Sequence, residues 1–220
     1  RLILFVAGMR PKMMSNTLTL VLLALVLVAL AFLVRQSAIL ATRLDRLHWR
    51  ILTTRDSLAL LLDERARYSE RIADYPGFTS DESQEIRETS TRARRQMIPL
   101  VADGLDRRTS EASVRDTQTH EKVIEFFEIQ SQLSKILRSA LNAKLRKEID
   151  ADDYWSRELR ELDQASYKVQ LARSMHNLYV TQTHKIRERS WVRIAHLAGH
   201  APMAQTIDFD DDTIEDGYGY

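Results

Sequence analysis

Residues 13–34 carry no charged side chain, and they lie between Lys12 and Arg35. From Leu18 to Val34 only Thr19 interrupts the apolar run. A helix of these 22 residues extends roughly 33 Å, enough to cross the hydrocarbon core of a bilayer. This predicts a transmembrane helix over residues 17–35, with Leu18, Leu22, Leu25, Leu30, Phe32 and Val34 as anchor positions. A cleaved signal peptide is the alternative, but its apolar region is shorter, about 7–15 residues. Residues 37–41 supply only a weak small-residue cleavage site, so a retained anchor is expected. The run holds no acid, base or histidine, so it offers no ion path or proton relay. Arg1 is not an initiator; Met9, Met13 and Met14 each fit as a start, and residues 1–16 read as an N-terminal flank.

Lys and Arg near the two ends of the run set the expected orientation. Arg35, Arg43, Arg46, Arg50 and Arg55 follow it, against Arg1, Arg10 and Lys12 before it. By the positive-inside rule the large C-terminal part faces the cytoplasm.

Beyond Arg35 the apolar period is helical. Leu40, Leu44, Leu47, Ile51, Leu58 and Leu61 follow steps of three, four and seven, the stripe of a helix that packs on partners. No Gly or Pro occurs between Met13 and Tyr75, which predicts one nearly continuous helix about 90 Å long. Pro76-Gly77 ends it, and Thr79 with Glu82 forms a capping box for a second helix over residues 81–108, kinked or split by Pro99 and Gly104. A third helix is expected over residues 113–147, with Val123, Phe126, Phe127, Ile129, Leu133, Ile136, Leu137, Ala140 and Leu141 on one face. Asp150 reads as the N-cap of a fourth, marked by Trp155, Leu159, Leu162, Val169, Ala172, Met175 and Tyr179. That helix continues through Ile186, Trp191 and Ile194 to a stop at Gly199 and Pro202. No window sustains period-two alternation, and 6 Gly with 4 Pro are too few turns for a sandwich or barrel. The reading is an all-α fold. A single N-terminal transmembrane helix runs into a long antiparallel bundle of three to four helices over residues 36–200, followed by an acidic tail over residues 201–220.

Little chemistry is written into the chain. It has 0 Cys, which removes disulfides, thiolate metal sites and thiol catalysis. Phosphate-binding glycine loops, a nucleophile elbow and a His-Glu-x-x-His pair are absent. His196 and His200 have metal-pair spacing, but Gly199 and Pro202 fray that turn, Glu188 is the only acid within ten residues after His184 and no third ligand is identified, so positive charge at a helix C-terminus explains them better. The carboxylate pairs Asp63/Glu64, Asp152/Asp153 and Glu158/Glu161 sit among Arg65, Arg67, Arg157 and Arg160, as on solvated ion-pair faces. Basic clusters at Arg92/Arg94/Arg95, Lys144/Arg146/Lys147 and Lys185/Arg187/Arg189 lack the interleaved aromatics that stack bases, and acids fill their gaps. Trp155 and Trp191 read as core. The expectation is a protein without catalytic residues, cofactor, metal, nucleic acid or small-molecule substrate.

Charge is unevenly distributed. Lys+Arg is 32 and Asp+Glu is 31, but Asp208, Asp210, Asp211, Asp212, Glu215 and Asp216 all lie after Thr206, where there is no base. The remainder has 32 bases against 25 acids and is about +7. By composition residues 206–220 resemble a disordered tail. Its acids, with Phe209, Ile214, Tyr218 and Tyr220 as anchors, are expected to bind either this basic body or a basic surface on a partner.

Residues 171–180, Leu-Ala-Arg-Ser-Met-His-Asn-Leu-Tyr-Val, resemble the Ala-Arg-x-x-Tyr-Asn-x-x-Val segment of the LemA family. Residues 194–200 are similar to that family's apolar run before an acidic stretch, and residues 159–170 and 133–141 to its preceding helices. Here His176 stands for the tyrosine, Arg189-Ser190 for a Phe-Pro, and Gly199-His200 for a Gly-Phe; Leu62-Asp63-Glu64-Arg65 only echoes a first-helix motif. The resemblance spans roughly residues 18–212 and implies a membrane-anchored helical bundle with no catalytic residues to carry over. The expected role is a non-enzymatic accessory or scaffold subunit of a bacterial inner-membrane assembly, in contact with lipid and other membrane subunits. A respiratory cytochrome supercomplex is the class of host expected. The alternatives are a free envelope-signalling adaptor and, second, a metal-dependent hydrolase.

Overall fold

The computed structural model describes residues 11–94, 100, 101, 103, 105, 117–194 and 202–212, with backbone alone for 11–17 and 117. Among them there is no strand. The described residues form six helices: α1 Pro11–Ile72, α2 Ser80–Arg94, α3 Thr117–Ala140, α4 Ala143–Asp150, α5 Asp153–Arg187 and α6 Ser190–Ile194.

α1 runs unbroken for 62 residues, about 93 Å. Its first part, residues 18–34, is uniformly exposed, and no residue of its apolar window is buried. This is one helix long and apolar enough to cross a membrane. Its second part is the spine of the bundle. α5 packs antiparallel along it, α2 folds back against its far end, and α3 closes on α2 and the middle of α1. The apolar stripe read from the sequence explains this, because Leu44, Leu47, Ile51 and Leu58 are all buried. At about 1.5–3 kcal/mol for each fully buried aliphatic side chain, they favour the packed rod over separate helices.

The core divides along the rod. Ile72, Ile86, Leu133, Leu141, Ile149 and Leu162 fill the end far from the apolar segment. Leu58, Leu62, Phe126, Val169, Ile207 and Phe209 fill the middle. Near the apolar segment Leu44 and Leu47 meet Ile186 and Val192, and Ile51 meets Val180 and Ala204. Ala204, Ile207 and Phe209 belong to no helix; they come from the acidic segment.

The capping box is formed: Thr79 N donates to Glu82 Oε2 at 2.9 Å and Glu82 N donates to Thr79 Oγ1 at 3.3 Å. The Thr79 amide, and the Thr79 hydroxyl that also donates to Glu82 Oε2 at 2.8 Å, hold the Glu82 carboxyl below its ordinary range. Four boundaries differ from the sequence reading. The expected fourth helix does not continue through Trp191 and Ile194: it ends at Arg187 with Glu188 as C-cap, and Ser190–Ile194 is a separate short helix. α2 is described as far as Arg94, and Leu100, Val101, Asp103 and Leu105 beyond it are not helical, while Pro99 and Gly104 lie outside the described residues. The expected third helix is two, because Asn142 Oδ1 accepts from Lys144 N and Leu145 N and starts α4 afresh. The N-cap of α5 is Asp152, which accepts from Tyr154 N and Trp155 N; Asp150 accepts from Ser156 Oγ instead.

Candidate functional site: a groove occupied by the acidic C-terminal strap

Residues 202–212 form an extended strap laid along α5 in the groove it makes with α1 and α3. The strap runs antiparallel to α5, away from the apolar segment. Arg187 Nη1 donates to Pro202 O at 2.8 Å, and Gln170 Nε2 donates to Asp211 O at 3.0 Å. About nine steps of strap cover roughly 30 Å and about seventeen of helix cover roughly 26 Å, so the strap is nearly straight.

α5 supplies most of the clamp because Arg173, His176, Asn177 and His184 recur at helical spacing on one side. His184 Nε2 donates to Ala204 O at 2.7 Å and His176 Nε2 to Gln205 O at 3.1 Å; a carbonyl only accepts, which fixes both tautomers. Asn177 Nδ2 donates to Ile207 O at 2.8 Å, while Ile207 N donates to Asn177 Oδ1 at 2.9 Å. Arg173 grips Asp211 with Nε at 2.6 Å and Nη2 at 2.7 Å, and reaches Asp208 at 3.3 Å. From α3, Arg138 grips Asp210 at 2.8 and 2.6 Å and donates to Asp212 O at 2.7 Å, and Ser131 Oγ accepts from Asp210 N. Phe209 stacks on Phe127 with centroids 5.3 Å apart, and the Arg173 guanidinium lies 5.6 Å from its ring centroid.

Two buried arginines sit beneath the strap. Arg65 is 2% exposed; it donates to Gln130 Oε1 at 2.7 Å, Gln130 O at 3.2 Å and Ser134 Oγ at 3.0 Å. Burial lowers its pKa to about 10 against the opposing pull of Asp211 and Asp210, so it stays cationic at neutral pH. Arg55 forms a buried two-pronged pair with Asp103, whose carboxylate also accepts from Leu105 N and from Gln205 N of the strap. The two strap acids respond in opposite directions. The Arg138 hydrogen bonds pull Asp210 down, whereas burial pushes Asp211 up despite Arg173. Burial also lowers His176 and His48.

Asp208, Phe209, Asp210, Asp211 and Asp212 thus bind this chain's own bundle. The disordered reading is corrected for residues 206–212, because every second strap residue finds the groove. Ile207, Phe209 and Asp211 are buried and Asp208 and Asp212 exposed. Ile214, Glu215, Asp216, Tyr218 and Tyr220 lie outside the described residues, as do His196 and His200. The solvated-face reading fails for Arg65, which is core. Its neighbours pair elsewhere, Asp63 with Arg94 at 3.2 Å and Glu64 with Lys168 at 4.0 Å. Glu158 pairs with Arg71, and Arg146 of the second basic cluster with Asp163. Trp155 is only partly buried, edge-on to Tyr75, and Trp191 donates to Ser37 Oγ at 3.0 Å. Leu18, Leu22, Leu25, Leu30, Phe32 and Val34 are all more than half exposed, at 52–68%.

Sequence reasoning missed the clamp, although Arg173, His176 and Asn177 stood inside the segment that resembles the LemA family. The arrangement is a peptide clamp. Among the described residues no group of three His, Asp or Glu side chains is placed to hold a metal ion. No family model, curated protein or solved structure matches the chain. The LemA resemblance therefore rests on the residues quoted for it.

Proposed function

We propose that this chain is a non-enzymatic, single-pass membrane protein that serves as an accessory or scaffold subunit of a bacterial inner-membrane assembly. The observation that carries the reading is the continuity of α1, which passes without a break from an unburied apolar segment into the spine of a packed bundle. Water disfavours that much bare aliphatic surface, and lipid does not. The bundle stands on the cytoplasmic side, supported by the arginines that follow the apolar run.

A second feature supports a protein partner. Tyr167, Leu171, Met175 and Leu178 form an exposed apolar stripe on α5, on the side opposite its buried residues. The strap supports the scaffold role in another way. It reaches Arg138 at a level about 45 Å along α1 from Arg35, so the remaining acidic and aromatic residues start from a fixed point far from the bilayer. The resemblance to the LemA family agrees with an anchored bundle, and a respiratory supercomplex is the host class we favour. Alkaline carbonate extraction tests the anchor: the chain is expected to stay with the membrane pellet, and release ends the reading. An engineered Ser80→Cys is expected to resist impermeant thiol reagents in intact cells; labelling there places the bundle outside. A photo-crosslinker at Leu171 is expected to capture another membrane subunit.

A further inference from the structure

The end of the bundle nearest the apolar segment is basic and aromatic. α1 leaves the apolar run at Arg35 and then presents Arg43, Arg46 and Arg50, all exposed and within an arc of roughly 80° at 100° per residue. They border an open groove with Ile39, Thr42 and Gln182. The end of α5 brings Lys185 and Arg187, and the α6 region brings Arg189 and Arg193. Across residues 35–50 and 182–194, bases outnumber acids by eight to two, Asp45 and Glu188 being the acids. The far end is the reverse: residues 67–92 and 142–163 hold thirteen acids and nine bases. The rod is electrically polar along its axis.

α6 fixes the level of this end. Trp191 Nε1 donates to Ser37 Oγ at 3.0 Å, two residues past Arg35. Val192 is buried against Leu44 and Leu47, while Ile194 is 73% exposed. The indole is therefore held where α1 leaves its apolar run, with a bare aliphatic side chain on the same short helix.

We propose that this end is a docking surface for anionic lipid headgroups, with α6 lying at the bilayer interface. The inference rests on the membrane reading of α1 and adds what the bundle does there. Trp191 occupies the level that indoles favour, Ile194 enters the acyl boundary, and Arg35 meets lipid phosphates with its paired donors. Arg43 lies about 12 Å farther along an upright helix, near one Debye length of about 8–10 Å, and Arg43 and Arg46 add attraction through the screened field. Arg50, roughly 22 Å away, adds little; it stacks on Tyr179 at 5.5 Å. The excess of bases selects anionic over zwitterionic headgroups.

The test uses the full chain in nanodiscs of roughly three-to-one phosphatidylcholine and phosphatidylglycerol. Fluorescence quenching by headgroup-labelled lipid is compared between the wild type and Trp191→Phe, whose difference isolates Trp191. Trp49 is about 21 Å along α1 from Arg35, and Trp155 is at the far end. Trp191 is expected to be quenched, and more strongly by labelled phosphatidylglycerol than by labelled phosphatidylcholine. In Arg35→Gln/Arg43→Gln/Arg46→Gln the preference is expected to fall about fivefold for each arginine that contacts the surface. The phosphatidylcholine signal is expected to stay unchanged. An unquenched Trp191 in a chain that survives carbonate extraction overturns this inference alone; equal quenching by both lipids overturns the anionic selectivity. Release by carbonate instead removes the membrane reading beneath it.

Discussion

Asn177 gives Ile207 both hydrogen bonds of a β-ladder rung, donating to its carbonyl at 2.8 Å and accepting from its amide at 2.9 Å. An extended segment in a helical groove has no neighbouring strand to satisfy its backbone, and a buried unpaired peptide group costs about 1–3 kcal/mol. The side-chain amide removes that cost at the point where Ile207 is buried. His176 and His184 do the same for the preceding carbonyls, so the strap is held by its backbone as well as by its charges.

Asn177→Ala is accordingly expected to lower stability by about 1–3 kcal/mol, because both backbone groups of Ile207 lose their partner. Urea unfolding of the bundle measures this as a lower midpoint with little change in slope. Proteolysis next to Phe209 is expected to quicken in the same variant. A midpoint equal to the wild type's contradicts the rung.

The Arg55–Asp103 pair makes a different prediction. Asp103→Ala strands a buried guanidinium and is expected to cost about 3–5 kcal/mol. Arg55→Met combined with Asp103→Leu is expected to recover much of that, since two apolar side chains leave no buried charge. The recovery is incomplete because Gln205 N and Leu105 N also lose their acceptor. If the double variant is less stable than Asp103→Ala, the pair contributes more than its geometry indicates.

Burial lowers the His176 and His48 pKa values from 6.5, so the unfolded chain binds protons that the folded chain refuses. Stability is therefore present in full above about pH 6.5 and declines as pH falls below it, toward the folded pKa values. A thermal midpoint followed from pH 8 to 5 is expected to drop. The drop should shrink in His176→Gln, whose amide keeps a donor for Gln205 O. Asp210 adds a second, lower window. Its folded pKa lies below 3.8, so its contribution is lost only as pH falls through that value. Asp211 is shifted upward and has the opposite sign, favouring the folded state at low pH and opposing it as pH rises through its folded pKa. A midpoint flat to pH 5 contradicts the buried neutral histidines.

The helices were legible because their determinants are local. The 3.6-residue period marks the buried face of α1, and Thr79 with Glu82 marks the start of α2. The break at Asn142 was not legible, because no Gly or Pro announces it and an asparagine side chain alone turns the backbone. The strap was hidden for a longer-range reason: the partners of residues 205–212 lie mostly 29–79 residues away in sequence. Its one local signal is the alternation Ile207, Phe209, Asp211, too short to separate from an acidic tail's composition. Arg65 was misread because (i, i+4) charge logic counts neighbours and not depth. It pairs with Gln130 and Ser134 on another helix.

The scaffold claim is tested most directly by affinity purification of the tagged full chain after gentle solubilisation, with the bound proteins identified by mass spectrometry. The wild type is expected to retain stoichiometric membrane subunits, and Leu171→Glu/Leu178→Glu to lose them while keeping its helicity and its place in the membrane. A lone 25.5 kDa species from the wild type, or a partner set unchanged by the double variant, would contradict the account.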